Sequence, residues 1–184
     1  MKRFAILCCV LGISFYQLLF KSTIPGKVIM NGVEVYTSGD TYDRVWSTYE
    51  QLPDKVQDMF EDNNYRMYIV ELIDNDEYIM GQTNFTSRLV LIKLNSPFVE
   101  RTTFHECGHI LDDELAFAFI SGSDEFMDIY LEERDEFRVD NNKSYFISTE
   151  KEYFASAFAE YMIRPERLKR NTPKTYAFIE QCLK

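Results

Sequence analysis

The two histidines of this sequence constrain its fold more than any other feature. They are the only ones in the chain, and His105 and His109 stand four residues apart, with Glu106 directly after the first. On a helix, this spacing puts both imidazoles on one face, about 6 Å apart along the axis. Two imidazoles placed in this way can bind one tetrahedral zinc ion. In this pattern the glutamate is not a ligand, because its carboxylate accepts the proton of the water that attacks the substrate.

The surrounding residues favour a helix that carries a metal site over a chance pair of histidines on a solvated helix. Ser96-Pro97 is a typical helix start, with serine as N-cap and proline at the first helical position. An apolar side then follows at Phe98, Phe104, Cys107 and Leu111. The sequence therefore predicts one helix from Ser96-Pro97 through the histidine pair.

Two further residues of this helix, Gly108 and Asp112, allow predictions about its surroundings. Gly108 weakens a helix by up to about 1 kcal/mol relative to alanine, so we expect another element or a substrate to come close there. Asp112 follows His109 by three residues. It is a candidate to orient a ligand imidazole, with a solvated acid near the helix end as the alternative.

A zinc ion held by two histidines in a catalytic site needs a third protein ligand and one open position. The next strong helix, 149–163, offers Glu152 and Glu160. Each has a tyrosine seven residues earlier, Tyr145 or Tyr153, so the spacing alone does not choose between them. The two glutamates lie about 80° apart around the helix axis.

The neighbours of Glu152 favour it as the third ligand. It shares one helix face with three small residues, Ala155, Ser156 and Ala159. Small side chains let two helices approach closely, so a carboxylate at the start of this face can reach a metal on the next helix. With Thr149 as N-cap, Glu152 could instead complete a capping box. We favour the ligand, because the metal site would otherwise be incomplete.

The rest of the chain predicts a small sheet and more helices. Residues 65–73 and 88–94 have the composition of strands. Residues 22–40 predict a short hairpin around Asn31-Gly32 or an irregular extended start. A helical stretch, 41–63, is interrupted at Leu52-Pro53. Because 88–94 directly precedes the histidine helix, it is a candidate edge strand for an extended substrate, with an ordinary covered strand as the alternative.

The N-terminus predicts export. Lys2-Arg3 precede an apolar run, 4–20, which is typical of a secretory signal or an uncleaved anchor. We assign 1–21 to this segment and 22–184 to a single domain. A buried N-terminal helix is the alternative. The formal net charge of −10 argues against nucleic acid as a partner.

Cysteine usage does not indicate a disulfide scaffold. Outside the apolar run only Cys107 and Cys182 remain. Cys107 points away from the metal face, so we expect a core thiol. A bridge between the two is the alternative in an exported protein.

The joint pattern resembles the catalytic domain of anthrax lethal factor and the clostridial Pro-Pro endopeptidases. The resemblance is clear from about residue 88 to the end of the chain and weak before it. It rests on the spacing of Tyr145 and Glu152, seven residues apart, and on four stretches, 105–113, 152–158, 166–169 and 172–179.

The resemblance implies a compact α+β zincin-type metalloprotease domain, in which a small sheet is followed by the active-site helix and C-terminal helices. It implies one zinc ion per chain and five site residues: the ligands His105, His109 and Glu152, the general base Glu106, and Tyr145, which stabilises the oxyanion. Ser156 departs from the family pattern, since these relatives usually carry glutamate there.

The expected function is that of an exported or membrane-anchored zinc-dependent endopeptidase, acting as a monomer on protein or peptide substrates. The alternative is a zinc-containing, toxin-like binding module without catalysis. The residues do not specify a cleavage motif.

Overall fold

The computed structural model describes residues 27–30, 33–115, 119–140 and 142–184. The expected signal segment, 1–21, and the turn at Asn31-Gly32 lie outside these ranges. The described strands are β1 (Lys27–Met30), β2 (Val33–Tyr36), β3 (Arg66–Val70), β4 (Gly81–Asn84) and β5 (Leu89–Lys93). The described α-helices are α1 (Asp40–Tyr49), α2 (Asp54–Asp62), α3 (Val99–Leu115), α4 (Asp124–Glu133), α5 (Lys143–Phe146), α6 (Glu150–Ile163), α7 (Pro165–Asn171) and α8 (Pro173–Cys182).

The described strands form one mixed sheet in the order β1-β2-β3-β5-β4. The pair β3 and β5 is parallel, with Met67 opposite Val90, and the other pairs are antiparallel. The strand that leads into α3 therefore lies inside the sheet. The expectation that 88–94 offers a free edge is wrong, because β4 pairs with β5 and itself forms the edge.

Alternating side chains of β3 and β5 divide between the two faces of the sheet. Met67, Ile69, Val90 and Ile92 pack with the helices in the main core. Tyr68 and Val70 join a smaller cluster on the other face. β3 is buried on both faces, which explains its nearly continuous apolar and aromatic composition. It lies within the strand predicted at 65–73.

Two of the predicted helix boundaries are confirmed and one is shifted. The break at Leu52-Pro53 separates α1 from α2, and Thr149 caps α6 by accepting a hydrogen bond from the Glu152 amide at 3.2 Å. The histidine helix begins at Val99, later than Ser96-Pro97 predicted, because the Ser96 hydroxyl accepts from the Phe98 amide within a preceding turn. Phe98 is consequently 45% exposed and lies off the apolar side.

Cys107 and Cys182 are both buried, free thiols. The expectation of a core thiol at Cys107 is confirmed, and the alternative bridge to Cys182 is not formed. Within the described ranges, no helix combines the length and apolar composition needed to cross a membrane.

Candidate metal centre

Helices α3 and α6 approach each other closely at Gly108. A methyl group built there would lie 2.9 Å from Cα of Ala155 and 3.2 Å from Cβ of Phe158. The first distance is shorter than real carbon contacts and the second is tight, so the glycine permits this packing. The expectation of a close approach at Gly108 is confirmed, and the approaching element is the small-residue face of α6, where Ala155 and Ser156 are fully buried.

This packing brings three ligand groups together. One donor atom from each of His105, His109 and Glu152 lies within 4.8 Å of the other two. Glu152 Oε2 is 3.2 Å from His105 Nε2, and Glu152 Oε1 is 3.7 Å from His109 Nε2. Two imidazole nitrogens and a carboxylate are a usual donor set of catalytic zinc sites.

The protonation states suit metal binding. Burial, followed by the neighbouring His105, lowers the pKa of His109 to about 3, so its imidazole is neutral at pH 7. Burial acts to raise the pKa of Glu152, but its contacts with His105 and His109 outweigh this and hold the pKa below its ordinary value. A neutral imidazole and an ionised carboxylate both offer lone pairs to a cation.

One atom of the group is left without a hydrogen bond. Glu152 Oε2 is buried and has no hydrogen-bond partner, although His105 Nε2 is near, because the geometry of the contact does not meet that of a hydrogen bond. A buried carboxylate oxygen in this state is costly unless a cation satisfies it. The three residues therefore fit a zinc ion.

The other nitrogen of His105 contacts the residue that departs from the family pattern. Ser156 Oγ is 3.2 Å from His105 Nδ1, and both are buried. If Nε2 faces the metal, Nδ1 carries the proton and donates to the hydroxyl, which fixes the ring. Ser156 thus contacts the ring of His105 without adding a second negative charge to that of Glu152.

Glu106 lies beside the ligands in a closely packed environment. Its side chain is 4% exposed, and Oε2 accepts a hydrogen bond of 2.7 Å from the Thr83 hydroxyl of β4. A methyl group at Gly81 would lie 2.6 Å from Oε1, so only glycine leaves room for the carboxylate. Burial raises the pKa of Glu106 to about 7, against the opposing effects of His105 and Thr83.

Sequence reasoning missed Thr83 and Gly81. The stretch around them reads as a short strand with a polar loop, and no spacing connects it to the histidine helix. A glycine inside a strand pattern is the one local signal of a close approach that was present.

Tyr145 is on the short helix α5 and is 51% exposed. Its pKa is raised above the ordinary value by partial burial, then by its interaction with the negatively charged Glu152, and further by Glu106. The phenol is therefore protonated at neutral pH, close to the proposed ligand and base, and able to donate a hydrogen bond.

The alternative choice of ligand and tyrosine is excluded by the structure. Glu160 is 1% exposed and pairs with Arg101 and Arg167. The Tyr153 side chain is fully buried, and its hydroxyl lies 2.8 Å from Thr175 Oγ1. Neither residue belongs to the ligand group.

The expectation that Asp112 orients a ligand imidazole is wrong. Its Oδ1 accepts from the Ser121 amide at 2.7 Å and its Oδ2 accepts from the Ser121 hydroxyl at 2.8 Å. Asp112 is fully buried, so it is not the solvated acid of the alternative either. The carboxylate holds Ser121, in the 3-10 turn Ile120–Gly122, against α3.

Two aromatic side chains, Phe85 and Phe119, lie beside His109 and are called the aromatic wall below. Phe85 meets the His109 ring edge-on, with centroids 6.5 Å apart, and meets Phe119 in the same way at 5.2 Å. The Lys151 ammonium group lies 3.5 Å from the Phe119 ring centre. This wall borders the ligand group and was not singled out from the sequence.

The fold and the site together define a zincin-like α+β domain, and the comparisons with known proteins agree. Residues 87–182 match the model of the family described as anthrax toxin lethal factor, N- and C-terminal domain. Because the match covers more than half of the chain, the protein belongs to this family. The resemblance predicted from the sequence is therefore confirmed. No curated protein sequence matches this chain.

A solved structure shares the fold. The Pro-Pro endopeptidase PPEP-2 from Paenibacillus alvei superposes with a TM-score of 0.56 at 18% sequence identity, covering 78% of this chain and 94% of that chain. At this identity the likeness establishes the architecture alone. The predicted compact α+β domain is thereby confirmed.

Proposed function

We propose that this protein is an exported zinc-dependent endopeptidase that hydrolyses peptide bonds in protein substrates. The observation that carries the proposal is the convergence of His105, His109 and Glu152 with a buried carboxylate, Glu106, beside them. Family membership and the fold shared with a Pro-Pro endopeptidase support the same reaction class.

Glu106 is the proposed general base. When bound, zinc supplies Lewis acidity, which lowers the pKa of water towards about 7 and polarises a carbonyl group. The Glu106 carboxylate accepts a proton from the attacking water and then donates it to the leaving amine. The Thr83 hydroxyl holds the carboxylate in place, and a pKa of about 7 suits both halves of this transfer.

Tyr145 is the proposed donor to the oxyanion. Its protonated hydroxyl interacts with Glu152, its side chain is half exposed, and it can donate a hydrogen bond to the oxygen that becomes negative. A contact of this kind is often worth about 3 kcal/mol in the transition state.

The edge of the sheet suggests where a substrate lies. β4 is the last strand of the described sheet, and its Gly81 and Thr83 adjoin Glu106. An extended peptide added to that edge would run past the base, with the aromatic wall of Phe85 and Phe119 at the end of the strand.

Zinc content and cleavage test the proposal directly. We expect one zinc per chain in the full-length protein and none in Glu152→Gln, because the amide is a poor ligand. Glu150→Gln is the matched control, since Glu150 lies in the same helical turn and outside the ligand group. A peptide library incubated with each protein measures turnover.

The outcomes separate the proposal from its rivals. Zinc and cleavage in the wild type and Glu150→Gln, with loss of both in Glu152→Gln, support it. Bound zinc without cleavage of any peptide indicates the alternative, a zinc-containing binding module. A folded wild type that takes up no zinc overturns the metalloprotease assignment.

Export is part of the proposal and rests on the sequence of residues 1–21. Fractionation of the producing cells tests it. Recovery of the protein from the cytoplasm alone would contradict export.

A further inference from the structure

Arg101 lies one helical turn before His105 on α3, and the proposed reaction does not use it. Its guanidinium carbon is 5.1 Å from the ring centre of Phe146. The Phe146 ring in turn lies 5.7 Å from the His105 ring and 5.5 Å from the Tyr145 ring. One aromatic side chain therefore touches Arg101, a ligand and the proposed oxyanion donor.

A buried acid fixes Arg101. Glu160 pairs with Arg101 through Oε1, and its Oε2 accepts hydrogen bonds from Nε and Nη2 of Arg167 at 2.9 and 2.7 Å. Arg167 also donates to Asp140 at 2.7 Å, and Arg164 pairs with the same carboxylate. The network thus joins α3, α6 and α7 to the segment that leads into α5.

α5 has little core of its own. It is four residues long and contains no buried residue, so outside contacts decide where Tyr145 lies. One such contact is the hydrogen bond from the Tyr130 hydroxyl to the Ile147 carbonyl at 2.8 Å. Phe146 joins α5 to the histidine helix through two contacts, the Arg101 guanidinium that stacks on it and the neighbouring His105 ring.

Resting on the proposed peptidase function, we propose that Arg101 is a positioning residue. Held by Glu160, its planar guanidinium packs on Phe146 and keeps the Tyr145 hydroxyl at the site. Arginine suits this task because it can pair with a carboxylate and stack on a ring at the same time.

Two variants of the full-length protein test the stack. Arg101→Lys keeps the charge that pairs with Glu160 and loses the planar group, and Phe146→Leu loses the ring. Glu160 is left unchanged, since removing one member of a buried ion pair destabilises the whole fold. Arg88→Lys is the matched control, because Arg88 stacks on Tyr65 at 4.8 Å and pairs with Asp113 and Glu114 away from the ligand group.

Hydrogen exchange gives a readout that does not depend on activity. The amides of residues 145–148 are hydrogen-bonded within and around α5. We expect their exchange to be at least about tenfold faster in Arg101→Lys and Phe146→Leu, through local opening, and unchanged in Arg88→Lys. Unchanged exchange at 145–148, or an equal increase throughout the chain, would overturn the proposal.

Kinetics show whether the effect passes through Tyr145. With the peptide that the wild type cleaves fastest, we expect kcat to fall about 10- to 100-fold in both variants, with KM little changed. In a Tyr145→Phe background, Arg101→Lys should cost no further kcat. An equal loss in both backgrounds would contradict the positioning role. If the wild type cleaves no peptide, the proposed function fails, and hydrogen exchange alone decides whether Arg101 anchors α5.

Discussion

Glu106 is buried and packed against strand β4, unlike a glutamate on the protein surface. Thr83 donates to one of its oxygens, Gly81 adjoins the other, and burial raises its pKa to about 7. A base whose pKa is near the operating pH can accept a proton and return it within one catalytic cycle. Its packing against β4 therefore suits the proton transfer that we propose for Glu106.

At the residue scale, Glu106→Gln should separate metal binding from turnover. Glutamine keeps the size and can still accept from Thr83, but it cannot take up the proton, so we expect kcat to fall at least about 100-fold while zinc content is kept. Metal analysis and peptide cleavage measure the two quantities. Glu100→Gln, an exposed glutamate of the same helix, is the control. Full activity in Glu106→Gln would remove Glu106 from the mechanism.

At the element scale, the site depends on how closely α3 and α6 pack. The histidines belong to one helix and Glu152 to the other, so the distance between the helices sets the distance between the ligands. Gly108 packs against Ala155 and Phe158, and Ser156 contacts His105. A change in packing should therefore change metal affinity without altering any ligand.

Gly108→Ala tests this dependence. The added methyl group would meet the Ala155 backbone at 2.9 Å, and overpacking of this kind costs about 1–3 kcal/mol, which exceeds the gain of up to about 1 kcal/mol in helix propensity. We expect a lower free energy of unfolding without metal and weaker zinc binding, measured by denaturant titration and by competition with a chelator. Gly122→Ala is the control, since nothing lies within 4 Å of a methyl group there. Unchanged zinc affinity in a folded Gly108→Ala protein would contradict the coupling.

At the scale of the whole molecule, local spacing predicted most of the candidate site, while tertiary contacts decided the rest. The i, i+4 rule placed His105 and His109 together, and the small residues after Glu152 chose it over Glu160, which the structure pairs with arginines. The neighbours of Glu106 come from an edge strand, and the order of strands in a sheet is not contained in the spacing of any one segment.

The partner of Asp112 escaped prediction for the same reason. Helical spacing places Asp112 three residues after His109. It does not show that Ser121 donates two hydrogen bonds to the Asp112 carboxylate. The start of the histidine helix was also misplaced, because Ser96 caps a turn before the helix and not the helix itself. Spacing thus predicts what shares a helix face, and long-range contacts determine what that face meets.

Asp112 should make the stability of the whole domain depend on pH. Burial raises its pKa to about 6 from 3.8, despite the opposing hydrogen bonds from Ser121. The folded state therefore holds this proton more tightly than the unfolded chain, so the contribution to stability is full below about pH 4 and is lost as the pH rises through about 6. The difference between the two pKa values corresponds to about 3 kcal/mol.

Asp112→Asn isolates that contribution, because an amide can still accept from the Ser121 amide and does not titrate in this range. We expect the free energy of unfolding of the wild type, relative to Asp112→Asn, to fall by about 2 kcal/mol between pH 4 and pH 7, which is most of the full difference. Denaturant titrations at each pH, with a chelator present so that metal binding adds no pH dependence of its own, give this difference. The other titrating groups are common to both proteins and cancel. If the wild type and Asp112→Asn differ in free energy of unfolding by the same amount at pH 4 and pH 7, Asp112 has the same pKa in the folded and unfolded chain. Its burial would then not make stability depend on pH.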